Sequence, residues 1–231
     1  MPVREIAFRE AVFKVLDEGR PFDYGWVDEQ DVRDRWWHIQ PGEVVLDVGA
    51  AMGSYAIPAC ALGARVYAWS PDHCASALVE NILVNDFGNR CTVIRAGLFN
   101  RVGWLEPYTQ RFLTEPPDSL TAAIEFDGHP IESEYMPVST LDRFVFKEAQ
   151  LDRVDWIKLD VEGAEVEVLN GALQTINDFW PKILVENHLF KDGEIGNKVR
   201  DLLLRQRPGY TGVEIPYHSV SHAMYTPKAR G

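Results

Sequence analysis

The 231-residue sequence predicts an α/β protein built on a doubly wound, mostly parallel sheet. Three observations carry this. Short apolar runs, "EVVLDVG", "ARVYAW" and "VDWIKLD", read as buried strands that end at glycine, serine or aspartate. Stretches with one apolar helical face follow them. The alternation then repeats at lengths suited to right-handed β-α-β units, whose ligands bind beyond the carboxyl ends of the strands.

Before residue 42 the pattern predicts helices. Ile6, Phe8, Val12, Phe13, Val15 and Leu16 approximate one apolar face, and "DEQDVRDRWW" gives a second, short helix. Residues 1–41 are therefore expected to form a helical cap, and residues 42–231 the main domain. After "GEVVLDVG" the glycine turn "GAAMGS" leads into a helix over about Ser54 to Leu62. Strand "ARVYAW", a helix from about His73 to Phe87 and strand "CTVIRAG" follow. In that second helix Ala75, Leu78, Val79, Ile82 and Leu83 recur at helical spacing, with Asp72 suited to cap its start. Residues 101–137 break the rhythm with prolines and acids, which predicts an inserted loop or small antiparallel hairpin. Strand "VDWIKLD", helix "AEVEVLNGALQTI" and strand "KILVEN" restore it. The C-terminal "GYTGVEIPYHSVSHAMYTP" holds two strand-like runs joined by a polar turn, expected as an antiparallel pair at the sheet edge.

A formal net charge of −12 repels a phosphate backbone, which excludes nucleic acid and anionic membrane surfaces as expected partners. Cys60, Cys74 and Cys91 have no zinc or disulfide spacing, and a reducing cytoplasm is expected. Arg4, Glu5, Arg9, Glu10 and Lys14 interrupt any signal-peptide core, and no apolar run approaches the roughly 20 residues that span a bilayer.

Four strand ends converge on the predicted crevice: Asp47 to Gly53, Ser70 to Asp72, Asp160 to Glu165, and Glu186 to His188. The first turn has glycines only at 49 and 53, so it lacks the three-glycine dinucleotide fingerprint and disfavours a nicotinamide oxidoreductase. Asp160 ends a strand of buried apolar residues, where a carboxylate must be paired or used. Lys158 reads as a structural salt bridge. Glu162 and Glu165 flank Gly163 at a helix start, where negative charge suits the helix dipole. Glu186 and His188 alternate along one strand and share a face. A histidine there can take a proton from a hydroxyl near neutral pH. Asp160, Glu186 and His188 also offer an oxygen-and-nitrogen set for a divalent cation, which stays open. His38, His73, His129, His218 and His222 show no ligand-like spacing. Tyr217, His218 and His222 reach the crevice only if the edge strands fold over it.

The segments "VVLDVGAAMGSYAIPACALGARVYAWSPD", "VSTLDRF", "VDWIKLDVEGAEVEVLNGA" and "PKILVENH" resemble, in order, the motifs of the FkbM-type family of S-adenosylmethionine-dependent methyltransferases. The resemblance covers about residues 42 to 190, and "IKLDVEGAEVEVLNGA" is its most specific piece. It implies a class I methyltransferase, Rossmann-like fold that binds S-adenosyl-L-methionine. Asp47, Gly49, Ala50, Ala51, Gly53, Ser70, Asp72, Asp160 and Glu162 are the implied cofactor contacts; Asp160, Glu186 and His188 form the expected catalytic set. The implied reaction is O-methylation of a small-molecule acceptor, a sugar or secondary metabolite. N-methylation, or a binding protein with weakened catalysis, are the alternatives. Two positions depart from the family pattern. Ser70 stands where an acid usually holds both ribose hydroxyls, a loss of about 1.5–3 kcal/mol, and Ala51 stands where asparagine is common.

Overall fold

The computed structural model describes residues 3–16, 26, 29–71, 74–107, 111–119, 121–126, 129–187, 194–205, 209–217 and 220–228. The chain begins with β1 (Val3–Phe8) and β2 (Ala11–Leu16), an antiparallel hairpin in which Phe8 faces Ala11 across a two-residue connection. This corrects the N-terminal helix predicted from the apolar spacing. Phe8, Phe13 and Val15 are buried whereas Val12 is 64% exposed, so the period is two rather than 3.6. Two alternating runs joined by Arg9 and Glu10 imitate a helical stripe in sequence. The short helix predicted after it is present as α1 (Gln30–Trp36).

The parallel core follows in the expected order: β3 (Val44–Val48), α2 (Ala56–Ala61), β4 (Arg65–Trp69), α3 (Cys74–Val84) and β5 (Cys91–Ile94). The insertion is larger than one hairpin. Just before it lies β6 (Gly97–Leu98), and it holds β7 (Gly103–Glu106), β8 (Arg111–Leu113), β9 (Thr121–Phe126), β10 (His129–Glu134) and the start of β11 (Met136–Ser139). These form a small sheet in the order β6-β11-β7-β8 and a separate β9-β10 ribbon.

The chain returns through α4 (Leu141–Arg143), capped by Thr140, whose Oγ1 accepts the Arg143 N–H at 3.1 Å. It continues into β12 (Trp156–Leu159), α5 (Glu165–Asn170), α6 (Leu173–Phe179) and β13 (Lys182–Asn187). The single helix predicted here is broken at Gly171, where an added Cβ would lie 2.2 Å from the Phe99 carbonyl oxygen. α7 (Glu194–Arg200), β14 (Tyr210–Tyr217) and β15 (Val220–Pro227) complete the fold.

Among the described residues the main sheet has the order β14-β15-β13-β12-β3-β4-β5. β15 runs antiparallel to both of its neighbours, which is the predicted antiparallel pair, and the other pairings are parallel. From β3 the chain winds outward to β5 and then returns to β12 on the other side. The strand order therefore reverses between β3 and β12, and that is where a crevice opens in folds of this kind.

Each strand divides its side chains between two cores. Val45, Trp156, Leu184 and Met224 pack with the hairpin and α1 to α3, while Leu46, Ile157, Val185 and Tyr225 pack with the helices that follow the insertion. Trp37 is fully buried and meets Tyr55 and Trp156 edge-on, with ring centroids 5.2 and 5.0 Å apart.

The hairpin makes a contrast that equilibrium unfolding in urea can check. Phe13→Ala is expected to lower stability by about 3–5 kcal/mol, and Val12→Ala to change it by no more than about 0.5 kcal/mol. Similar losses for both would restore the helical reading.

Candidate active site

The site begins where β3 ends. Gly49 adopts φ +86°, and a Cβ there would lie 1.6 Å from the backbone oxygen of Asp160, so the turn rests directly on the end of β12. The Gly49 and Ala50 N–H groups donate to the Trp69 carbonyl at 3.1 and 2.8 Å, which ties the same turn to β4. Gly53, at φ +101°, lets α2 and α3 approach: its Cβ would meet Leu78 Cδ1 at 2.6 Å and Ile57 Cγ1 at 2.9 Å. Between them Ala51 holds a left-handed φ of 46°, a conformation costing an alanine about 1–2 kcal/mol. Ser70 is buried, and its hydroxyl donates to the Ala51 carbonyl at 3.2 Å. At the position where the resemblance leads one to expect an acid, a neutral side chain thus braces the glycine turn.

Beside the turn lies a buried layer of charge. Asp47 and Lys158 are register partners on β3 and β12, as are Glu186 and His222 on β13 and β15. By alternation all four point to the sheet face that carries Val45, Trp156, Leu184 and Met224. Lys158 is 1% exposed; its Nζ is 3.3 Å from Asp160 Oδ2, 4.0 Å from Glu186 Oε2 and 4.6 Å from the Tyr55 ring centroid. Glu29, just before α1, reaches into this layer. It accepts a hydrogen bond from Tyr55 Oη at 2.5 Å, and its Oε1 lies 3.5 Å from His222 Nε2. Glu186 Oε2 lies 3.5 Å from the same nitrogen. Arg33, also buried, holds its guanidinium 5.5 Å from the Tyr55 ring and donates to the Trp26 carbonyl.

Burial and charge pull these groups in opposite directions. Burial pushes Asp47 up to about 7, against the attraction of Lys158, and Asp160 adds repulsion. Burial also disfavours the Lys158 ammonium, but Asp160, Glu29 and Glu186 outweigh it and raise the pKa, so the charge persists. Burial alone would raise Glu29; the nearby His222 imidazole and the Lys158 charge hold it well below the carboxylate range instead. Glu186 is raised by burial despite His222. His222 is raised because Glu186 and Glu29 overcome its burial. Tyr55, buried beside Glu29, is raised well above its ordinary value and stays a donor.

The expected residues fare differently. The glycine turn and Asp160 are brought together, and the Asp160 side chain is 27% exposed at the strand end. Asp47 is buried beneath the turn and accepts the Ala56 N–H. Glu186 joins the layer, whereas Glu162 is exposed on a left-handed turn with φ 52°. Glu165 is buried and accepts the Gly163 N–H at 3.1 Å, a helix-start role. Asp72 and His188 lie outside the described residues. Glu29 and Tyr55 were not expected here, and His222 only on the condition that the edge strands fold over the crevice. His222 had a signal, since it shares a strand face with apolar Met224 in a run expected to pair at the sheet edge. Glu29 had none.

The methyltransferase FkbM domain family matches residues 47–210. No curated protein matches the chain in sequence. Among solved structures, a methyltransferase FkbM from Methylobacillus flagellatus KT is 19% identical with a TM-score of 0.58, over 84% of this chain and 46% of its own. The chain thus spans less than half the length of that protein. A conserved hypothetical protein from Streptococcus pyogenes is 15% identical with a TM-score of 0.54, over 89% of this chain and 98% of its own. The C-terminal domain of precorrin-6Y C5,15-methyltransferase from Rhodobacter capsulatus is 10% identical with a TM-score of 0.51, over 86% of this chain and 89% of its own. At these identities the likeness shows the fold, that of the class I methyltransferases.

The raised Asp47 gives a pH test. Its ordinary value is 3.8, so between that value and about 7 the folded chain binds more protons than the unfolded one. Its contribution to stability is complete below the ordinary value and is lost as pH rises through about 7. Against Asp47→Asn, the native chain should therefore lose on the order of 1 kcal/mol per pH unit between about pH 5 and 7. Parallel urea-stability curves for the two proteins would show that Asp47 is ionised throughout.

Proposed function

The chain belongs to the FkbM family of methyltransferases, and from that premise we propose that it transfers the methyl group of S-adenosyl-L-methionine to a hydroxyl of a small molecule, a sugar or a secondary metabolite. One observation carries the proposal: the Gly49 to Gly53 turn rests against Asp160 where the strand order reverses.

The residues present fit the cationic end of this cofactor. Asp160, partly exposed beside the turn, is a carboxylate suited to its positive charge. At the ribose end the fit is weaker, because the Ser70 hydroxyl is directed to Ala51. Once bound, the cofactor supplies an electrophilic methyl group on a good leaving group. The protein's part is then alignment and exclusion of water. Gly49, Ala50, Ala51 and Gly53 form the seat, with Asp47 beneath, and Ser70 and Glu162 at its margins. Lys158 fixes the Asp160 carboxylate. His188, two residues after Glu186 in the sequence, is the proposed acceptor of the substrate's proton, with Glu186 to orient it.

A catalytically weakened cofactor-binding protein is the second reading, favoured by the inward bond of Ser70. No described helix is long and apolar enough to cross a membrane, and Cys60, Cys74 and Cys91, which have no disulfide-framework or zinc spacing, suit a reducing compartment such as the cytoplasm.

Calorimetric titration with S-adenosylmethionine and S-adenosylhomocysteine tests the reading. The native chain is expected to bind both in the micromolar range, and Ser70→Glu to bind about ten- to a hundredfold more tightly. Absence of binding by both proteins would end the methyltransferase proposal. Binding without turnover on any hydroxyl acceptor would favour the second reading.

A further inference from the structure

Glu29, Glu186 and His222 come from the segment before α1, from β13 and from β15, yet one ligand atom of each lies within 4.8 Å of the others. All three are largely withdrawn from solvent, with side chains 15%, 10% and 0% exposed. His222 Nε2 stands 3.5 Å from Glu29 Oε1 and 3.5 Å from Glu186 Oε2. A charge-assisted N–H···O bond measures about 2.7–2.9 Å. Two ligands of an ion held tetrahedrally at about 2.1 Å are separated by about 3.4 Å. The observed separations are thus those of the edges of a coordination polyhedron.

Charge points the same way. Asp47, Asp160, Glu29 and Glu186 act on the Lys158 ammonium, with the buried Arg33 guanidinium 5.5 Å from the Tyr55 ring as the other fixed cation, and four acids against two such cations call for protons or a further cation. Asp47 Oδ2, in the same layer, is buried with no hydrogen-bond partner.

We propose that Glu29, Glu186 and His222 form a binding site for one divalent transition-metal cation. An imidazole nitrogen with two carboxylates suits zinc, cobalt or manganese better than calcium or magnesium, which prefer oxygen alone. Three protein ligands leave a coordination position for solvent. The Lys158 ammonium, 4.0 Å from Glu186 Oε2, opposes the second positive charge and limits the affinity. The bound ion joins the segment carrying Glu29 to the two strands beneath it. The site does not depend on the methyl-transfer reading, since cation binding is measured with the metal alone.

The test is titration of the chelator-stripped full chain with cobalt chloride, followed by visible absorption, and with zinc chloride by calorimetry. One ion per chain, with a cobalt spectrum of nitrogen and oxygen ligation, is expected. Glu29→Gln and His222→Gln should each weaken binding at least about tenfold. Absence of stoichiometric binding by the native chain would overturn the proposal. So would thiolate charge-transfer bands, which would place the ion on cysteine, or unchanged affinity in both variants. If neither variant folds, the stoichiometry and spectrum of the native chain decide.

Discussion

The ammonium of Lys158 lies 3.3 Å from Asp160, 4.0 Å from Glu186 and over the Tyr55 ring, with 1% of the side chain exposed. A charge so far from water is tolerated only among compensating groups, and here these come from every part of the fold that meets at the site. Asp160 belongs to the end of β12, Glu186 to β13 and Tyr55 to the turn before α2. Glu29 adds its own negative charge from the segment before α1. The buried ammonium is therefore the common counterion of elements far apart in sequence.

The glycine turn depends on the same place. Because Gly49 leaves no room for a side chain against the Asp160 carbonyl, the turn and the end of β12 behave as one surface. Ser70 binds the far side of that surface through Ala51, and Gly53 lets α2 and α3 close behind it. The Asp160 carboxylate, held from one side by Lys158, stays partly exposed beside the glycine turn.

Much of this was legible in the sequence because it is local. The runs ending at Asp47, Ser70 and Asp160 became parallel strands in the expected order, and the glycines at 49 and 53 marked a turn that no larger residue can make. The hairpin from Val3 to Leu16 was misread because two strands joined out of phase copy the spacing of a helical face. The break at Gly171 was invisible because its cause, the carbonyl of Phe99, is distant in the chain. His222 is placed by antiparallel pairing of β15 with β13, where it meets Glu186, a partner distant in the chain that the residues around His222 do not name. Glu29 enters the layer through its hydrogen bond from Tyr55, a contact no pattern announces.

The most direct measurement is urea unfolding of Lys158→Met, a nearly isosteric change that removes only the buried charge. If Lys158 holds the layer together, its loss leaves carboxylates buried without their counterion, and stability should fall by about 3–5 kcal/mol near neutral pH. Unchanged or increased stability would contradict this. It would mean that protons, rather than the ammonium, neutralise the acids.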